Sequence, residues 1–413
     1  MELTHIQGPI NQPLKASLSI TGSKSETNRL LLLQSLFPQI TLSNTSNSED
    51  AQAMARGIGV RSGTIDVHHA GTAMRFLTAF MATTPGVDVV LTGSSRMQQR
   101  PIGLLVDALR QLGAEINYLG EEGYPPLSIK GKEITQRHAE IPAHVSSQYI
   151  SALLLVAPRL ASGISLTLKG SITSIPYIKM TCALLESLGI TTRMEGSVIQ
   201  VDPAPQVAPK TLVVESDWSS ASYHYSMVAL APVGSEIRLY SYKSDSLQGD
   251  AVLAELYRAL GVESVFVDHQ LVITKKRDVR TPVREHGLII DFTECPDIAQ
   301  TLAVTCFALG IGAHFTGLHT LKIKETDRLV ALQQELTKFG AQLSITEDSL
   351  TLLPFQGVMK SGVLVSTYHD HRMAMAFAPL AMKVPLSVED PGVVAKSYPD
   401  FWNDLALLGF QFS

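Results

Sequence analysis

The sequence predicts an α/β protein of two domains, each built from three repeated units. The first observation is a recurring pattern, in which a helix ending in Leu-x-x-Leu-Gly or a close variant runs into a β-type segment. The second is length, because 413 residues correspond to two or three domains of ordinary size. The third is composition, since 45% hydrophobic and 17% charged residues are typical of globular proteins. The helices are predicted to end at Gly113, Gly189, Gly261, Gly340 and Gly409, with a weaker sixth instance at Gly59.

Each unit is predicted to place a helix before a strand. Leucines three and four residues apart form an apolar stripe on one helix face. Glycine then ends the helix in a left-handed backbone conformation, and the β-branched residues that follow favour a strand. The glycines recur at intervals of roughly 55 to 80 residues, which exceeds the period of solenoid repeats. We therefore expect small α/β modules with helices inside and sheets outside each domain.

Two domain boundaries are indicated by changes in composition. The Pro-rich segment PAPQVAPK is followed by a polar stretch at residues 213–222, and a second boundary falls at residues 20–23, before the first cationic motif. Together they predict a discontinuous domain, residues 1–20 plus 216–413, and an inserted domain, residues 21–215. The first strand would then belong with the C-terminal half.

Charge and composition argue against several classes of protein. A net charge of −5 and a pI near 6.2 disfavour nucleic acid as a main partner. The N-terminal segment shows no basic region followed by an apolar stretch, and the apolar runs are too short to span a bilayer. Cys182, Cys295 and Cys306 are widely spaced and fit reduced thiols. We expect a cytoplasmic protein with no nucleic-acid or membrane partner.

Eight cationic side chains lie in short polar motifs along this acidic chain. Most adjoin Gly, Ser or Thr where a loop enters a helix, and helix N-termini favour anions. Arg binds carboxylate and phosphate through two parallel hydrogen bonds, whereas Lys acts as a compact point charge. The motifs predict a site for more than one small, multiply charged anion. They are Lys24 and Arg29 in GSKSETNR, Arg75 in AGTAMR, Arg100 in RMQQRP, Lys324 and Arg328 in KETDR, Arg372 in DHRMAMA and Lys396 in AKSYPD.

Some of these motifs also have an ordinary structural interpretation. Ser23 or Ser25 could simply cap the helix that follows GSKSETNR, and the P-loop spacing is absent there. Thr72 is expected to cap the helix that carries Arg75. The adjacent His68 and His69 are expected to point apart and to make poor joint metal ligands.

Hydroxyl and amide groups gather at the start of two further helices. Ser146, Ser147 and Gln148 precede an apolar helix and suit a polyol or a phosphate ester, although capping accounts for one of the three. Ser174 and Tyr177 could extend that surface. The alternative is a Pro-initiated helix with a partly exposed Tyr.

The acid–base candidates lie in the second half of the chain. Asp297 starts an apolar helix, where an N-cap is an equally good interpretation. Glu325 is flanked by Lys324 and Arg328. The H-x-H pair in HDHR could bind a metal, but no third ligand can be identified, so no metal site is expected.

Together, these motifs closely resemble the 5-enolpyruvylshikimate-3-phosphate synthase family, the 3-phosphoshikimate 1-carboxyvinyltransferases. The resemblance covers essentially the whole chain in the family's order. It implies the enolpyruvyl transferase fold, a two-domain inverted α/β barrel with three βαβαββ repeats in each domain and the active site in the interdomain cleft. The motifs are GSKSETNR, AGTAMR, RMQQRPIG, VSSQY, DWSSASY, PDIA, KETDRL, DHRMAMA and AKSYPDF.

The resemblance also implies a reaction. The enolpyruvyl group of phosphoenolpyruvate (PEP) would pass to the 5-hydroxyl of shikimate 3-phosphate through a tetrahedral ketal intermediate, releasing phosphate, in chorismate and aromatic amino acid biosynthesis. Asp297 matches the proton acceptor, and Glu325 and Lys24 are the expected proton-transfer partners. Neither a metal nor an organic cofactor is implied, and we expect a monomer whose domains close over the substrates.

Carried over residue by residue, the resemblance implies two sets of binding positions. Shikimate 3-phosphate would be bound by Lys24, Ser25, Arg29, Ser146, Ser147, Gln148, Ser174, Tyr177, Asp297 and Lys324. PEP would be bound by Lys24, Gly71, Arg100, Gln148, Arg328, Arg372 and Lys396, with Arg75 in support.

Three positions depart from the family's common pattern. Phe76 stands where many members carry Pro, and His69 where many carry Asn; both flank the PEP positions. Thr320 stands where Asn is frequent, four residues before Lys324. None of the three removes a group that the reaction requires.

Two other functions compete with this interpretation. The sister enolpyruvyl transferases that act on UDP-N-acetylglucosamine use a reactive Cys on a loop near PEP, but residues 96–101 contain none. A non-catalytic phosphosugar-binding protein would keep the cations and lack the proton-transfer groups. The presence of Asp297, Glu325 and Lys24 together argues against it.

Overall fold

The computed structural model describes residues 2–142, 146–170, 175–279 and 281–413. The chain divides into two compact units, each with its own hydrophobic core. Unit 1 contains Met1–Thr21 and Glu215–Ser413, and unit 2 contains Gly22–Val214.

The described α-helices and β-strands are numbered separately in chain order. The helices α1–α14 are Lys24–Leu36, Glu49–Ile58, Gly71–Ala82, Ser95–Gln98, Gly103–Gln111, Ser147–Val156, Ile175–Ser187, Trp218–Leu230, Leu253–Leu256, Thr281–His286, Ala299–Ala308, Arg328–Phe339, His371–Phe377 and Phe401–Leu407. The strands β1–β22 are Leu3–Gln7, Lys15–Leu18, Ile40–Ser43, Ser62–Asp66, Asp88–Thr92, Glu115–Tyr118, Leu127–Lys130, His138–Pro142, Ile164–Lys169, Thr192–Glu195, Val198–Val201, Lys210–Val213, Glu236–Tyr240, Val262–Val267, Gln270–Lys275, Leu288–Asp291, Ala313–Thr316, Leu343–Ile345, Leu350–Leu352, Val363–Val365, Leu386–Glu389 and Gln411–Phe412.

Unit 1 contains three four-stranded sheets, with strand orders β20-β21-β1-β22, β14-β15-β13-β2 and β16-β17-β19-β18. In the third sheet β16 and β17 run parallel across a helical crossover, and β17, β19 and β18 pair antiparallel. The other two sheets repeat this arrangement with strands β1 and β2 from the N-terminal segment. The N-terminal strands therefore belong to unit 1.

Unit 2 contains two four-stranded sheets of the same type, with strand orders β4-β5-β7-β6 and β10-β11-β9-β8. Among the described residues its third sheet has two strands, β3 and β12, which pair in parallel from Ile40 to Ser43. The expected βαβαββ order is therefore complete in five repeats, and the described part of the sixth is shorter.

Helices form the interior of each unit. Every residue of α3 in unit 2 and of α11 and α13 in unit 1 is buried. Strands such as Glu236–Tyr240 alternate buried and more exposed residues, as expected for a sheet with one face towards water. The predicted arrangement of helices inside and sheets outside is confirmed.

The predicted left-handed glycines occur in five of the six repeats. Gly113, Gly189, Gly261, Gly340 and Gly409 have φ angles of 103°, 79°, 85°, 105° and 89°. Gly59 has a φ of −78°, so the prediction is wrong for the weakest repeat, where helix α2 ends without a left-handed residue.

Candidate active site

Unit 1 brings four predicted cations close to the acid–base candidates. Asp297 lies in the 3-10 turn that leads into α11, and Arg328 is the first residue of α12. Asp370 caps α13 through the backbone N–H of Arg372, at 2.9 Å. We call the side chains gathered here the unit 1 charge cluster: Asp297, Lys324, Glu325, Arg328, Asp370, Arg372 and Lys396.

Asp297 contacts three cations through its two carboxylate oxygens. Its Oδ1 lies 3.0 Å from Nη1 of Arg328 and 3.4 Å from Nζ of Lys324. Its Oδ2 lies 3.1 Å from Nη2 of Arg372. Neither the 3-10 turn nor α11 has a side-chain cap, so the N-cap interpretation of Asp297 is wrong.

Glu325 lies beside Asp297 in the same cluster and shares Arg328 with it. Nη2 of Arg328 donates to Glu325 Oε2 at 2.8 Å, and Nζ of Lys396 donates to Glu325 Oε1 at 2.5 Å. Lys396 and Arg328 are both buried. The two carboxylates are therefore held at fixed positions by cations that are themselves out of water.

Arg328 is the centre of the cluster. Its Nε donates to the fully buried Asp370 at 2.7 Å, in addition to the contacts with Asp297 and Glu325. Burial lowers the pKa of Arg328, but these three carboxylates outweigh burial and raise the pKa above its ordinary value. Its guanidinium therefore stays charged at any physiological pH.

Cys295, two residues before Asp297, is buried and does not have the character of a nucleophile. Burial raises the pKa of its thiol, and the nearby carboxylates, Asp250 foremost, raise it further. Thiols act as nucleophiles in the ionised form. Catalysis through a Cys295 thiolate is therefore disfavoured.

In unit 2, the GSKSETNR motif forms the N-terminal end of α1. The side chain of Ser23, rather than Ser25, caps the helix by accepting from the Glu26 N–H at 3.4 Å. Lys24 is the first helical residue, and its Nζ lies 3.6 Å from Oδ2 of the buried Asp50. Asp50 thus limits where the Lys24 ammonium can lie.

Arg29 is buried one turn further along α1. Its guanidinium donates to Thr181 at 2.8 Å, to Ser151 at 3.0 Å and to the backbone carbonyl oxygens of Ser25 and Tyr177 at 2.7 and 3.3 Å. Burial lowers the pKa of Arg29 to about 10, so the side chain remains charged at neutral pH. These contacts join α1 to α6 and α7, and they give Arg29 a structural role in unit 2.

Gly71 and Arg100 are adjacent in unit 2. A Cβ atom at position 71 would lie 2.7 Å from Nη1 of Arg100, so only glycine leaves the guanidinium in place. Nε of Arg100 is buried and has no hydrogen-bond partner among the described residues. Arg75 donates to the carbonyl oxygens of Gly71 and Pro101, at 3.2 and 3.0 Å, and so joins the segments that carry Gly71 and Arg100.

The polar residues at the start of α6 lie near this pair. Ser146 caps α6 through the N–H of Gln148 at 3.3 Å, and Ser147 follows as the first helical residue. Nε2 of Gln148 lies 3.4 Å from Oγ1 of Thr72 in α3. Tyr177 lies on α7, with its ring 5.9 Å from the Arg29 guanidinium carbon, and Ser174 lies outside the described residues.

Two local predictions are wrong. Thr72 does not cap α3, because the N-cap residue is Ala70. No side chain among the described residues makes a capping hydrogen bond at this end of the helix. His68 and His69 do not point apart, since their Nδ1 atoms are 2.6 Å apart. The cause is the left-handed φ of 48° at His68, which breaks the alternation of side chains along an extended segment.

Two of the departures from the family pattern lie in buried surroundings. Phe76 is fully buried and lies 5.4 Å from the Arg29 guanidinium carbon. The hydroxyl oxygen of Thr320 is buried and has no hydrogen-bond partner within the described part of the chain. His69 contacts Glu49, with a nitrogen–oxygen distance of 3.2 Å.

Comparison with known proteins identifies the family. The family model for EPSP synthase, 3-phosphoshikimate 1-carboxyvinyltransferase, matches residues 60–405. The chain belongs to the EPSP synthase family. It is 44% identical over 402 residues to the 3-phosphoshikimate 1-carboxyvinyltransferase of Bacteroides fragilis strain YCH46, covering 96% of both chains. It is 36% identical over 436 residues to that of Photorhabdus laumondii, covering 98% of this chain and 97% of the relative.

Solved structures show the same fold. An EPSP synthase from Acinetobacter baumannii covers all of both chains with a TM-score of 0.77 at 21% identity. The enolpyruvyl transferase NikO from Streptomyces tendae has a TM-score of 0.74 at 13% identity and covers 100% of this chain and 98% of that one. The EPSP synthase family and the enolpyruvyl transferase fold expected from the ordered motifs are confirmed.

Sequence reasoning missed two carboxylates near the candidate residues of this EPSP synthase family member. Asp50 contacts Lys24, and Asp250 hydrogen-bonds to Ser219 beside Arg372. Asp250 lies in the segment SLQGD, far along the chain from Arg372. No motif or residue spacing in the sequence links the two positions. Only the fold brings it there.

The described residues contain neither a membrane-spanning helix nor a group of side chains arranged to bind a metal ion. No helix within residues 2–142, 146–170, 175–279 and 281–413 is long and apolar enough to cross a membrane. In the same ranges, no group of three or more His, Cys, Asp and Glu side chains is arranged to hold a metal ion.

Proposed function

We propose that the protein transfers the enolpyruvyl group of PEP to the 5-hydroxyl of shikimate 3-phosphate and releases phosphate. The observation that carries this proposal is that Asp297 and Glu325 both accept hydrogen bonds from the guanidinium of Arg328. Two carboxylates held at fixed positions by one buried, permanently charged group suit a reaction with two proton transfers. Membership of the EPSP synthase family supports the same reaction.

The proposed reaction has two stages. Asp297 accepts the proton of the 5-hydroxyl as its oxygen bonds to C2 of PEP, while Glu325 or Lys24 delivers a proton to the methylene carbon. The tetrahedral ketal phosphate then collapses: the C2–O bond to phosphate breaks, the proton on Asp297 passes to the departing phosphate, and a methyl proton returns to Glu325 or Lys24 as the enol double bond re-forms. Each protein group ends in its starting protonation state, so the step balances without a further reactant.

The cations of both units are assigned to the two anionic substrates. In unit 1, four cations of the charge cluster face three carboxylates, which favours binding of an added anion. Arg328, Arg372 and Lys396 are assigned to PEP. Lys324 and Asp297 are assigned to shikimate 3-phosphate. In unit 2, Gly71 and Arg100 are assigned to PEP, and Lys24 and Gln148 to both substrates.

The remaining residues of unit 2 are assigned to shikimate 3-phosphate. Ser146 and Ser147 lie at the N-terminal end of α6, where hydroxyls and free N–H groups favour a phosphate. Ser25, Ser174 and Tyr177 are assigned to the same substrate. Arg29 has several protein acceptors already, so we propose that it supports this site mainly by fixing Ser25 and Tyr177.

Acceptor specificity tests the proposal. Purified protein would be incubated with PEP and, in turn, shikimate 3-phosphate, shikimate or UDP-N-acetylglucosamine, and the products identified by phosphorus and proton NMR. Vinyl proton signals on a shikimate 3-phosphate adduct are expected with the first acceptor only. A product from UDP-N-acetylglucosamine would favour the sister reaction, and no product with any acceptor would favour a binding protein.

A further inference from the structure

Ser219 and Asp250 form a hydrogen-bonded pair beside the unit 1 charge cluster, and the proposed reaction assigns them no role. Ser219 is the second residue of α8 and the one residue of that helix that is partly exposed to solvent and not buried. Its hydroxyl donates to Oδ2 of Asp250. Asp250 comes from a different segment, the 3-10 turn Gly249–Val252.

Arg372 connects this pair to the proposed base. Its Nη2 donates to Oγ of Ser219 at 3.3 Å, and the same nitrogen lies 3.1 Å from Oδ2 of Asp297. A continuous path therefore runs from Asp297 through Arg372 and Ser219 to Asp250. The hydroxyl has one hydrogen to donate, and Asp250 receives it, so an oxygen lone pair of Ser219 is left to face Arg372.

Asp250 is an unfavourable residue to bury for stability alone. It is 3% exposed, and its Oδ1 is buried with no hydrogen-bond partner among the described residues. Burial, followed by the nearby Asp297, raises the pKa of Asp250 to about 7, although Arg372 and the Ser219 hydroxyl oppose the shift. A buried, half-satisfied carboxyl group costs free energy, which indicates a function other than packing.

We propose that Asp250 is a positioning residue for Arg372 and acts through the Ser219 hydroxyl. By accepting the hydroxyl hydrogen, Asp250 fixes the direction of the Ser219 lone pair. The Arg372 guanidinium is then held between Ser219 and Asp297. Without Asp250 the hydroxyl is free to rotate, and the contact of Arg372 with Ser219 is weakened. The expected effect on KM for PEP rests on the proposed function, because the proposed function assigns Arg372 to PEP binding.

Four variants test this inference by steady-state kinetics with PEP and shikimate 3-phosphate. Asp250→Leu and Ser219→Ala should each raise KM for PEP by about 3- to 10-fold, the loss expected for one hydrogen bond, with smaller changes in kcat and in KM for shikimate 3-phosphate. The double variant should be no worse than the more impaired single variant, because both changes break one path. Asp250→Asn keeps an accepting oxygen and should restore most of the PEP affinity.

The matched control is Asp404→Leu. Asp404 is also a buried aspartate of unit 1 with a raised pKa, and it accepts a hydrogen bond from Tyr398. This variant should leave KM for PEP unchanged. An unchanged KM for PEP in Asp250→Leu, or effects that multiply in the double variant, would overturn the inference.

A crystal structure separates this inference from the proposed function. If the wild-type protein does not turn over PEP, the proposed function fails, and the kinetic variants say nothing about Arg372. The structures of Ser219→Ala and Asp250→Leu still decide the inference. Displacement of the Arg372 guanidinium from its wild-type position in both supports it, and an unmoved guanidinium in either overturns it.

Discussion

Nη1 of Arg328 lies 3.0 Å from Oδ1 of Asp297, although the two residues come from different helical segments of unit 1. Because Arg328 is buried and also contacts Asp370, it cannot move without breaking other ion pairs. The position of the Asp297 carboxylate is therefore set before any substrate arrives. Such preorganisation is what a general base requires.

Replacing Asp297 with Asn should reduce kcat by about 100-fold or more, the usual contribution of a general base, while substrate binding changes little. The amide keeps the size of the side chain but does not accept the hydroxyl proton. Steady-state kinetics and calorimetric titration of both substrates measure the two effects. Asp268→Asn is the control, because Asp268 is exposed and has a left-handed φ of 48° that Asn tolerates. A near-wild-type rate in Asp297→Asn means that another group is the base.

Arg372→Gln should weaken PEP binding by about 2–5 kcal/mol, the usual cost of removing one member of a buried charged pair. Arg372 is 6% exposed and contacts Asp297, so the variant also leaves that carboxylate with one fewer cation. Titration of PEP in the presence of shikimate 3-phosphate measures the change. PEP affinity within threefold of wild type would remove Arg372 from the PEP site.

Gly71→Ala should raise KM for PEP by about 10- to 100-fold, the loss expected when a hydrogen bond to a charged group is broken. The new Cβ would lie 2.7 Å from Nη1 of Arg100 and would displace the guanidinium. Gly59→Ala is the matched control, because the nearest atom to its Cβ is 3.9 Å away and its φ of −78° suits alanine. If both variants keep the wild-type KM, Arg100 does not bind PEP.

His224→Gln should make the protein less sensitive to acid. Burial lowers the pKa of His224 from 6.5 to about 3, so between these values the unfolded chain binds a proton that the folded chain does not. Stability is therefore present above pH 6.5 and is lost as the pH falls, by up to about 1.4 kcal/mol per pH unit. The side-chain amide of Gln can still donate to the Tyr398 hydroxyl oxygen, which lies 3.1 Å from Nε2 of His224.

Urea unfolding at several values between pH 7.5 and pH 4.5 measures this slope. The wild-type free energy of unfolding should fall more steeply with acidity than that of His224→Gln. His286→Gln, an exposed histidine of the same unit, should behave as wild type. Parallel curves for wild type and His224→Gln would mean that the buried imidazole does not resist protonation.

The repeats could be predicted from the sequence because each carries a local signal. Gly340 ends α12 with a φ of 105°, and the leucine stripe before it faces the core, so pattern and structure agree. Gly59 shows the limit of this reasoning. The sequence around it resembles the pattern, but helix α2 ends in a right-handed conformation, for which glycine is not required.

The site residues that could be predicted from the sequence are those whose side-chain chemistry favours one kind of ligand. Clustered Arg and Lys motifs indicated anion binding, and the structure gathers Arg328, Arg372 and Lys396 around two carboxylates. The sequence gives no local sign that Asp250 joins them. Its contact with Ser219 spans 31 positions and depends on how α8 packs in unit 1.

Phosphate release from PEP, with and without shikimate 3-phosphate and in the presence of EDTA, tests the proposed enolpyruvyl transfer most directly. We expect release that requires shikimate 3-phosphate and survives the chelator. No release, with both ligands still bound, would contradict the proposed transfer and would leave a protein that binds the two anions without catalysing their reaction.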